Sequence, residues 1–295
     1  MITKREFDIL AHLATRNLRC TQREIAQATR MSVGSVNATL ARLGEKGYVK
    51  DGMITNEGRI VLEPFRVKRA VFIAAGFGSR LVPVTLNTPK PLVRVKGKRI
   101  IDTLLDAVLS VGIQEVYIVR GYLAEQFDQL LYKYPMIRFI ENPAYNETNN
   151  ISSALCASYL LKNAYVLEAD LYLFNPGLIT KYQYSSNYLG VPVAVTDDWC
   201  FYSERGRIAK LALGGTNCHH MFGISYWNEK DGARLAQHIR EVYHSPGGKE
   251  RYWDQVALDY FVDEYDVYIR ECTFNDIIEI DTFRDLKALD PAYDV

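Results

Sequence analysis

Six apolar residues, Ala70 to Ala75, run directly into Gly76-Phe77-Gly78-Ser79-Arg80, and eight residues later the chain reads Pro89-Lys90-Pro91-Leu92. An apolar run this short suits a strand buried on both faces, the environment found in a parallel sheet covered by helices. Glycines at 76 and 78 permit a tight turn whose backbone N–H groups can converge on phosphate oxygens, and Arg80 and Lys90 bring positive charge to the same place. Two better-known glycine loops fit less well. A dinucleotide-binding loop wants a third glycine where Leu81 stands, and a P-loop wants Gly-Lys followed by Ser or Thr.

Downstream, strand and helix patterns alternate as a mainly parallel α/β sheet requires. Helical spacing covers Ile101 to Val111, Leu123 to Tyr132 and Ser152 to Leu161, while Glu115 to Val119, Arg138 to Glu141 and Ala164 to Leu167 read as strands. The segment Tyr165 to Asp170 then carries an apolar strand into acidic residues, at the carboxyl end where open α/β sheets bind ligands. A second acidic pair, Glu279 and Asp281, alternates along Ile277 to Thr282 and so shares one strand face. Asp170, Glu279 and Asp281 are hard oxygen donors that could reach one metal ion, with Mg²⁺ the cation such donors suit.

Residues 1–66 predict a separate domain of three helices and a hairpin, and residues 67–295 the α/β domain, with a linker around Glu63 to Lys68. Phe7, Leu10, Leu13 and Ala14 mark the first helix, and Ile25, Ala26 and Ala28 mark a second after an N-capping Thr21. Ser32 caps a third, in which Val33, Val36, Leu40 and Leu43 share a buried face, and Gly47 ends it. Asp51-Gly52 suits a two-residue hairpin turn between Tyr48 to Lys50 and Met53 to Thr55. This stretch resembles winged helix-turn-helix domains of the MarR or Lrp type. In such domains the third helix enters the major groove, which implicates Arg30, Ser35, Asn37 and Arg42 as candidate DNA-binding residues. Residues 1–66 hold 11 basic and 7 acidic side chains against 35 of each in the whole chain, a modest surplus that also suits a dimerisation or docking module.

The five cysteines form no C-x-x-C pair, and Cys218-His219-His220 lacks further ligands at metal spacing, so a reducing cytoplasm is expected. No run of 18 apolar residues occurs and the first residues are charged, so neither a membrane span nor a signal peptide is expected.

The combination G-x-G-S-R, eight residues and P-K resembles the signature of the sugar-phosphate nucleotidyltransferase superfamily, with its Rossmann-like fold. Across roughly residues 69–290 the resemblance extends to the LicC-type CTP:phosphocholine cytidylyltransferases. Its segments are Ala74 to Arg80, Gly121 to Phe127, Tyr145 to Ser153, Glu168-Ala169-Asp170, Gly223 to Trp227, Tyr252-Trp253-Asp254 and Glu279-Ile280-Asp281, in that order. The resemblance implies that Arg80 and Lys90 hold the triphosphate and that Asp170, Glu279 and Asp281 bind Mg²⁺. It places Ala74, Ala75, Gly76, Gly78, Ser79, Asn149 and Ser153 near the nucleotide. It also implies that the choline end meets Trp199, Tyr252, Trp253 and Asp254, with Trp199 in a loop. That set makes chemical sense, because a quaternary ammonium donates no hydrogen bond and is recognised by aromatic faces and negative charge. The expected partners are CTP, phosphocholine, DNA and a second copy of the chain, with CDP-choline as product. A sugar-1-phosphate nucleotidyltransferase, or a DNA-binding regulator that senses nucleotide or phosphocholine, are the alternatives. The winged helix and the pair His219-His220 depart from the LicC-type pattern.

Overall fold

The computed structural model describes residues 2–16 and 19–293. The chain divides into two compact units, Met1–Arg66 with Lys181–Tyr184, and Val67–Thr180 with Ser185–Val295.

The first unit contains α1 (Lys4–Arg16), α2 (Gln22–Thr29), α3 (Val33–Glu45), the two-residue strands β1 (Val49–Lys50) and β2 (Met53–Ile54), and α4 (Asn56–Leu62). Thr21 and Glu24 form a capping box at α2, and the Ser32 hydroxyl accepts from the Ser35 N–H at α3. Such caps satisfy N–H groups that a helix start leaves without partners. Asp51 and Gly52 both have positive φ, 52° and 76°, as a hairpin turn matched to strand twist requires. Phe7, Leu10, Leu13, Ile25, Val36 and Leu43 close the core. Val33, expected on that buried face, is 45% exposed; it stands in the first turn of α3, and Val36, Thr39 and Leu43 form the buried stripe. Helix α4 lies outside the three helices expected, and its Gly58 lies so near the Tyr48 carbonyl that a Cβ would sit 2.3 Å from the oxygen. Lys181–Tyr184 returns to this unit from far along the chain, Tyr182 pairing with Arg66 and Tyr184 stacking on Phe65 at 5.4 Å.

The second unit begins with β3 (Arg69–Ile73), the small hairpin β4 (Arg94–Val95) and β5 (Lys98–Arg99), α5 (Ile100–Ser110), β6 (Glu115–Arg120) and β7 (Ile137–Glu141). Next come α6 (Ile151–Cys156), β8 (Ala164–Glu168), β9 (Leu171–Leu173), β10 (Asn187–Glu204), β11 (Arg207–Trp227) and α7 (Glu229–His244). The one-turn α8 (Trp253–Gln255), β12 (Tyr268–Glu271), β13 (Ile277–Glu279) and α9 (Phe283–Leu289) complete it. Seven strands form one sheet in the order β10-β12-β11-β8-β3-β6-β7, and β3 is parallel to both β6 and β8.

Alternation along β3 divides the core. Ala70 and Phe72 join α5 on one face, while Val71 and Ile73 face the side covered by α6 and α7. That two-sided burial explains why the strand reads as an unbroken apolar run. Two helices expected from spacing are less regular. Ala124–Tyr132 is 3₁₀ in character, and the segment from Ser152 breaks after Cys156 into a 3₁₀ turn at Ser158–Leu160.

Candidate active site

A cleft of about 610 Å³ opens at the carboxyl ends of β3 and β8, bounded by the glycine loop, α6, the start of α8, the β10–β11 hairpin and the segment after β13. Gly78 has φ +62°, and a Cβ there would lie 2.8 Å from the Lys90 Cβ. Only glycine tolerates both the left-handed backbone and that approach, which folds the loop back so that Lys90 reaches the cleft.

Lys90 is 8% exposed, and its ammonium donates to Asp170 Oδ2 at 2.9 Å and to Asp281 Oδ1 at 3.2 Å. Burial opposes its charge, but Asp170, then Glu279 and Asp281, outweigh that effect and raise its pKa. Arg80, mostly exposed, ion-pairs with Asp281. One oxygen from each of Asp170, Glu279 and Asp281 lies within 4.8 Å of the others. Two distant acidic strand ends and both loop cations therefore converge. Three carboxylates share one buried lysine and one solvated arginine, and Glu279 is the one whose proton is held most firmly. Burial and the neighbouring Asp170 push its pKa up to about 8. Asp170 Oδ1 is buried with no hydrogen-bond partner among the described residues. An unpartnered carboxylate oxygen inside a ring of acidic donors fits a hard divalent cation.

Ala74, Ala75, Gly76, Gly78 and Ser79 line the same cleft, as do Asn149 and Ser153. The Asn149 backbone donates to the Lys249 carbonyl at 2.8 Å, while Ser153 Oγ accepts from Asn142 at 2.9 Å. Trp199 and Tyr252 border the cleft, their rings edge to face with centroids 5.7 Å apart. Trp199 belongs to β10, where a register shift between Thr196 and Trp199 bends the strand, and not to a loop. Trp253 is a correction to the expected aromatic set. It is 1% exposed, packs against Tyr188 and Trp227, and does not border the cleft. Its place at the start of α8 turns the ring into the core, while the next residue, Asp254, reaches the cleft.

Asp254 is 4% exposed and accepts a hydrogen bond from the Tyr188 hydroxyl. Burial raises its pKa to about 7 against the opposing pull of that bond. Glu168 also borders the cleft, and burial together with the charges of Asp254 and Asp170 raises its pKa well above the carboxylate range. A Cβ on Gly223 would lie 2.0 Å from Glu168 Oε2, so the glycine makes room for this carboxyl. Glu168 stands in the motif Glu168-Ala169-Asp170 without a role that the sequence assigns; its signal is a charged residue ending a strand otherwise buried throughout.

His219 pairs with Glu271 at 3.4 Å and His220 contacts Thr196 at 3.1 Å. Among the described residues the acidic trio alone has metal-site geometry. In the first unit Arg30, Asn37 and Arg42 are exposed and Ser35 is half-buried. Asn37 accepts from Gln22 at 3.3 Å, and Arg42 donates to Thr39 at 3.3 Å. No helix among the described residues is long and apolar enough to cross a membrane.

A Nucleotidyl transferase family model matches residues 69–173, and a MarR family model matches residues 2–52. The 2-aminoethylphosphonate cytidylyltransferase of Lancefieldella rimae is 34% identical over 228 residues, covering 76% of this chain and 92% of the relative. The choline-phosphate cytidylyltransferase of Streptococcus pneumoniae is 32% identical over 223 residues, covering 75% and 96% respectively. The solved CTP:phosphocholine cytidylyltransferase (LicC) from Streptococcus pneumoniae superposes with TM-score 0.70 at 33% identity, over 77% of this chain and 99% of that one. With that similarity spanning nearly the whole of each relative, and the converging loop and carboxylates described above, the chain belongs to the cytidylyltransferase family of nucleotidyl transferases and carries a MarR-family winged-helix domain at its N-terminal end.

Proposed function

We propose that the chain transfers CMP from CTP to a small phosphate ester that ends in an alkylammonium, with phosphocholine as the first candidate and CDP-choline and pyrophosphate as products. The carrying observation is that one cleft holds two chemically different ends. The glycine loop, Arg80 and Lys90 occupy one, and Trp199 and Tyr252 stand with the buried carboxyls of Asp254 and Glu168 in another part. The first suits a triphosphate, and the second suits an organic cation, which aromatic faces hold and whose charge would favour ionisation of the two carboxyls beside it.

In this reading a phosphate oxygen of the acceptor attacks the α-phosphorus of CTP, forming one P–O bond as the bond to pyrophosphate breaks. The acceptor phosphate is ionised near neutral pH, so no protein nucleophile is required. Before substrate enters, Lys90 and Arg80 are held at the cleft by Asp170 and Asp281. They then offer their charge to the oxygens of the departing pyrophosphate. Asp170, Glu279 and Asp281 would hold Mg²⁺, which when bound supplies further neutralisation of the triphosphate. Backbone N–H groups of the glycine loop orient the phosphates, and Ala74 to Gly76, Asn149 and Ser153 border the nucleotide. We place the enzyme in the cytoplasm, where Cys156, Cys200, Cys218 and Cys272, which form no disulfide, would stay reduced.

A second acceptor class, primary ammonium compounds such as 2-aminoethylphosphonate, follows from the same two carboxyls. Before substrate enters, burial keeps protons on Glu168 and Asp254; a cation bound beside them favours their ionised forms, and a primary ammonium can then donate to them whereas a quaternary one cannot. The deciding experiment is a matrix of CTP, UTP, ATP and GTP against phosphocholine, 2-aminoethylphosphonate, phosphoethanolamine and glucose-1-phosphate, with pyrophosphate as readout. Turnover confined to CTP and the alkylammonium acceptors supports the reading. Preference for glucose-1-phosphate, or ligand binding with no pyrophosphate, overturns it.

A further inference from the structure

The phosphate loop is weakly anchored by its own burial. Leu81 and Thr85 are buried, but Phe77, Val82 and Leu86 are 45%, 47% and 59% exposed. What fastens it is the turn that follows β6. The Tyr122 hydroxyl donates to the Thr85 carbonyl at 2.9 Å, and Thr85 Oγ1 in turn donates to the Gly78 carbonyl at 2.9 Å. Gln126 Nε2 donates to the Asn87 carbonyl at 2.8 Å, and the Tyr122 N–H donates to the Ala75 carbonyl at 3.1 Å. The Phe77 ring leans on Tyr122 and Tyr145, with centroids 5.1 and 5.4 Å away. Tyr145 sits so close over Gly121 that a Cβ there would lie 2.6 Å from the ring. Tyr122 itself does not border the cleft.

We propose that Tyr122 is a positioning residue for the nucleotide triphosphate, tying both legs of the phosphate loop to the turn after β6 and thereby setting how firmly the loop holds CTP. The proposal rests on the cytidylyltransferase reading above. Its physical basis is preorganisation: a loop whose N–H groups are already aimed loses less conformational freedom on binding phosphate. The hydroxyl bond ties down the descending leg of the loop, and through Thr85 it reaches the Gly78 carbonyl of the ascending leg. Removing it deletes no cleft-lining group but lets the loop sample other conformations.

The test is Tyr122→Phe in the full chain, which keeps the ring against Phe77 and deletes only the hydroxyl, with Tyr132→Phe at a 95% exposed tyrosine as control. Loss of one such hydrogen bond predicts that KM for CTP rises about twofold to tenfold. KM for the acceptor that the wild type uses stays where it is, and the melting temperature falls by no more than about 2 to 4 °C, the cost of one such bond. A KM for CTP equal to that of wild type overturns the proposal, and so does a parallel rise in both KM values with a falling melting temperature. If the wild type releases no pyrophosphate from CTP with any acceptor, the functional reading falls, and amide hydrogen exchange still decides the latch. Faster exchange in peptides spanning residues 79–92 of Tyr122→Phe than in Tyr132→Phe supports it, and equal exchange overturns it.

Discussion

At the scale of single residues, charge imbalance governs the cleft. Asp170 contributes one oxygen to the bond with Lys90 and leaves another buried and unpartnered. Asp170→Asn keeps the shape but removes the charge that would hold Mg²⁺, and kcat should fall by about 10²-fold or more. Pyrophosphate release checks this, with circular dichroism confirming the fold; turnover near that of wild type would remove the metal assignment. Asp254 makes a different point. Its folded pKa of about 7 lies above its ordinary value, so between roughly pH 4 and 7 the folded chain keeps a proton that the unfolded chain has released. Stability from this group is therefore greatest in acid and declines as pH rises towards 7. Asp254→Asn retains an acceptor for the Tyr188 hydroxyl without the buried charge. In melting temperature against pH, the variant should gain on wild type as pH rises from about 4 to about 7 and then hold its lead above that, a window set by the unfolded and folded pKa values. A constant difference between the two curves would show that Asp254 is not the titrating group.

At the scale of elements, the hairpin of β10 and β11 decides which aromatic side chains face substrate. The register shift near Trp199 bends β10 and brings that ring beside Tyr252. The start of α8 instead turns Trp253 inward against Tyr188 and Trp227. The two tryptophans should therefore fail differently. Trp199→Ala should weaken use of phosphocholine by roughly threefold to thirtyfold, the worth of one cation–π interaction, with little change in melting temperature. Trp253→Ala should cost about 3 to 5 kcal/mol of stability, as emptying a packed aromatic site does. Chemical denaturation and kcat/KM separate the two, and equal destabilisation by both would contradict the division. The difference also shows what could be read without coordinates. Gly76 to Lys90 was legible because glycine freedom and cation spacing are local chemistry placed after an unmistakable buried strand. Glu279 and Asp281 were legible as a pair from their alternate spacing, although β13 ends at Glu279 and Asp281 stands in the segment beyond it, so a common strand face is not what brings them together. Trp199 and Trp253 were not assignable to cleft or core, because a bulge and a one-turn helix set their directions and neither leaves a periodic pattern. The place of Glu168 was hidden for a related reason: its space is created by Gly223, 55 positions along the chain, on β11 beside β8.

At the scale of the molecule, a MarR-family winged helix and a cytidylyltransferase share one chain. The first unit's exposed Arg42 and Asn37 stand on α3, with Arg30 at the end of α2. We propose that this helix meets duplex DNA, as its type does in the major groove. Arg42 is the informative position, since it is exposed and its guanidinium is engaged through Thr39, a neighbour on the same helix. If α3 reaches phosphates, the full chain should bind a fluorescent duplex with an affinity that falls steeply with salt. Arg42→Ala should then lower both the affinity and the slope of log affinity against log salt, the latter by about one unit for each phosphate left without its cation. Pyrophosphate release by the same variant should match wild type, because α3 contributes nothing to the cleft. Fluorescence anisotropy across a salt series checks the first expectation and the enzyme assay the second. A duplex affinity indifferent to salt would instead leave the winged helix as a docking or dimerisation module, a role for which 11 basic against 7 acidic residues is sufficient.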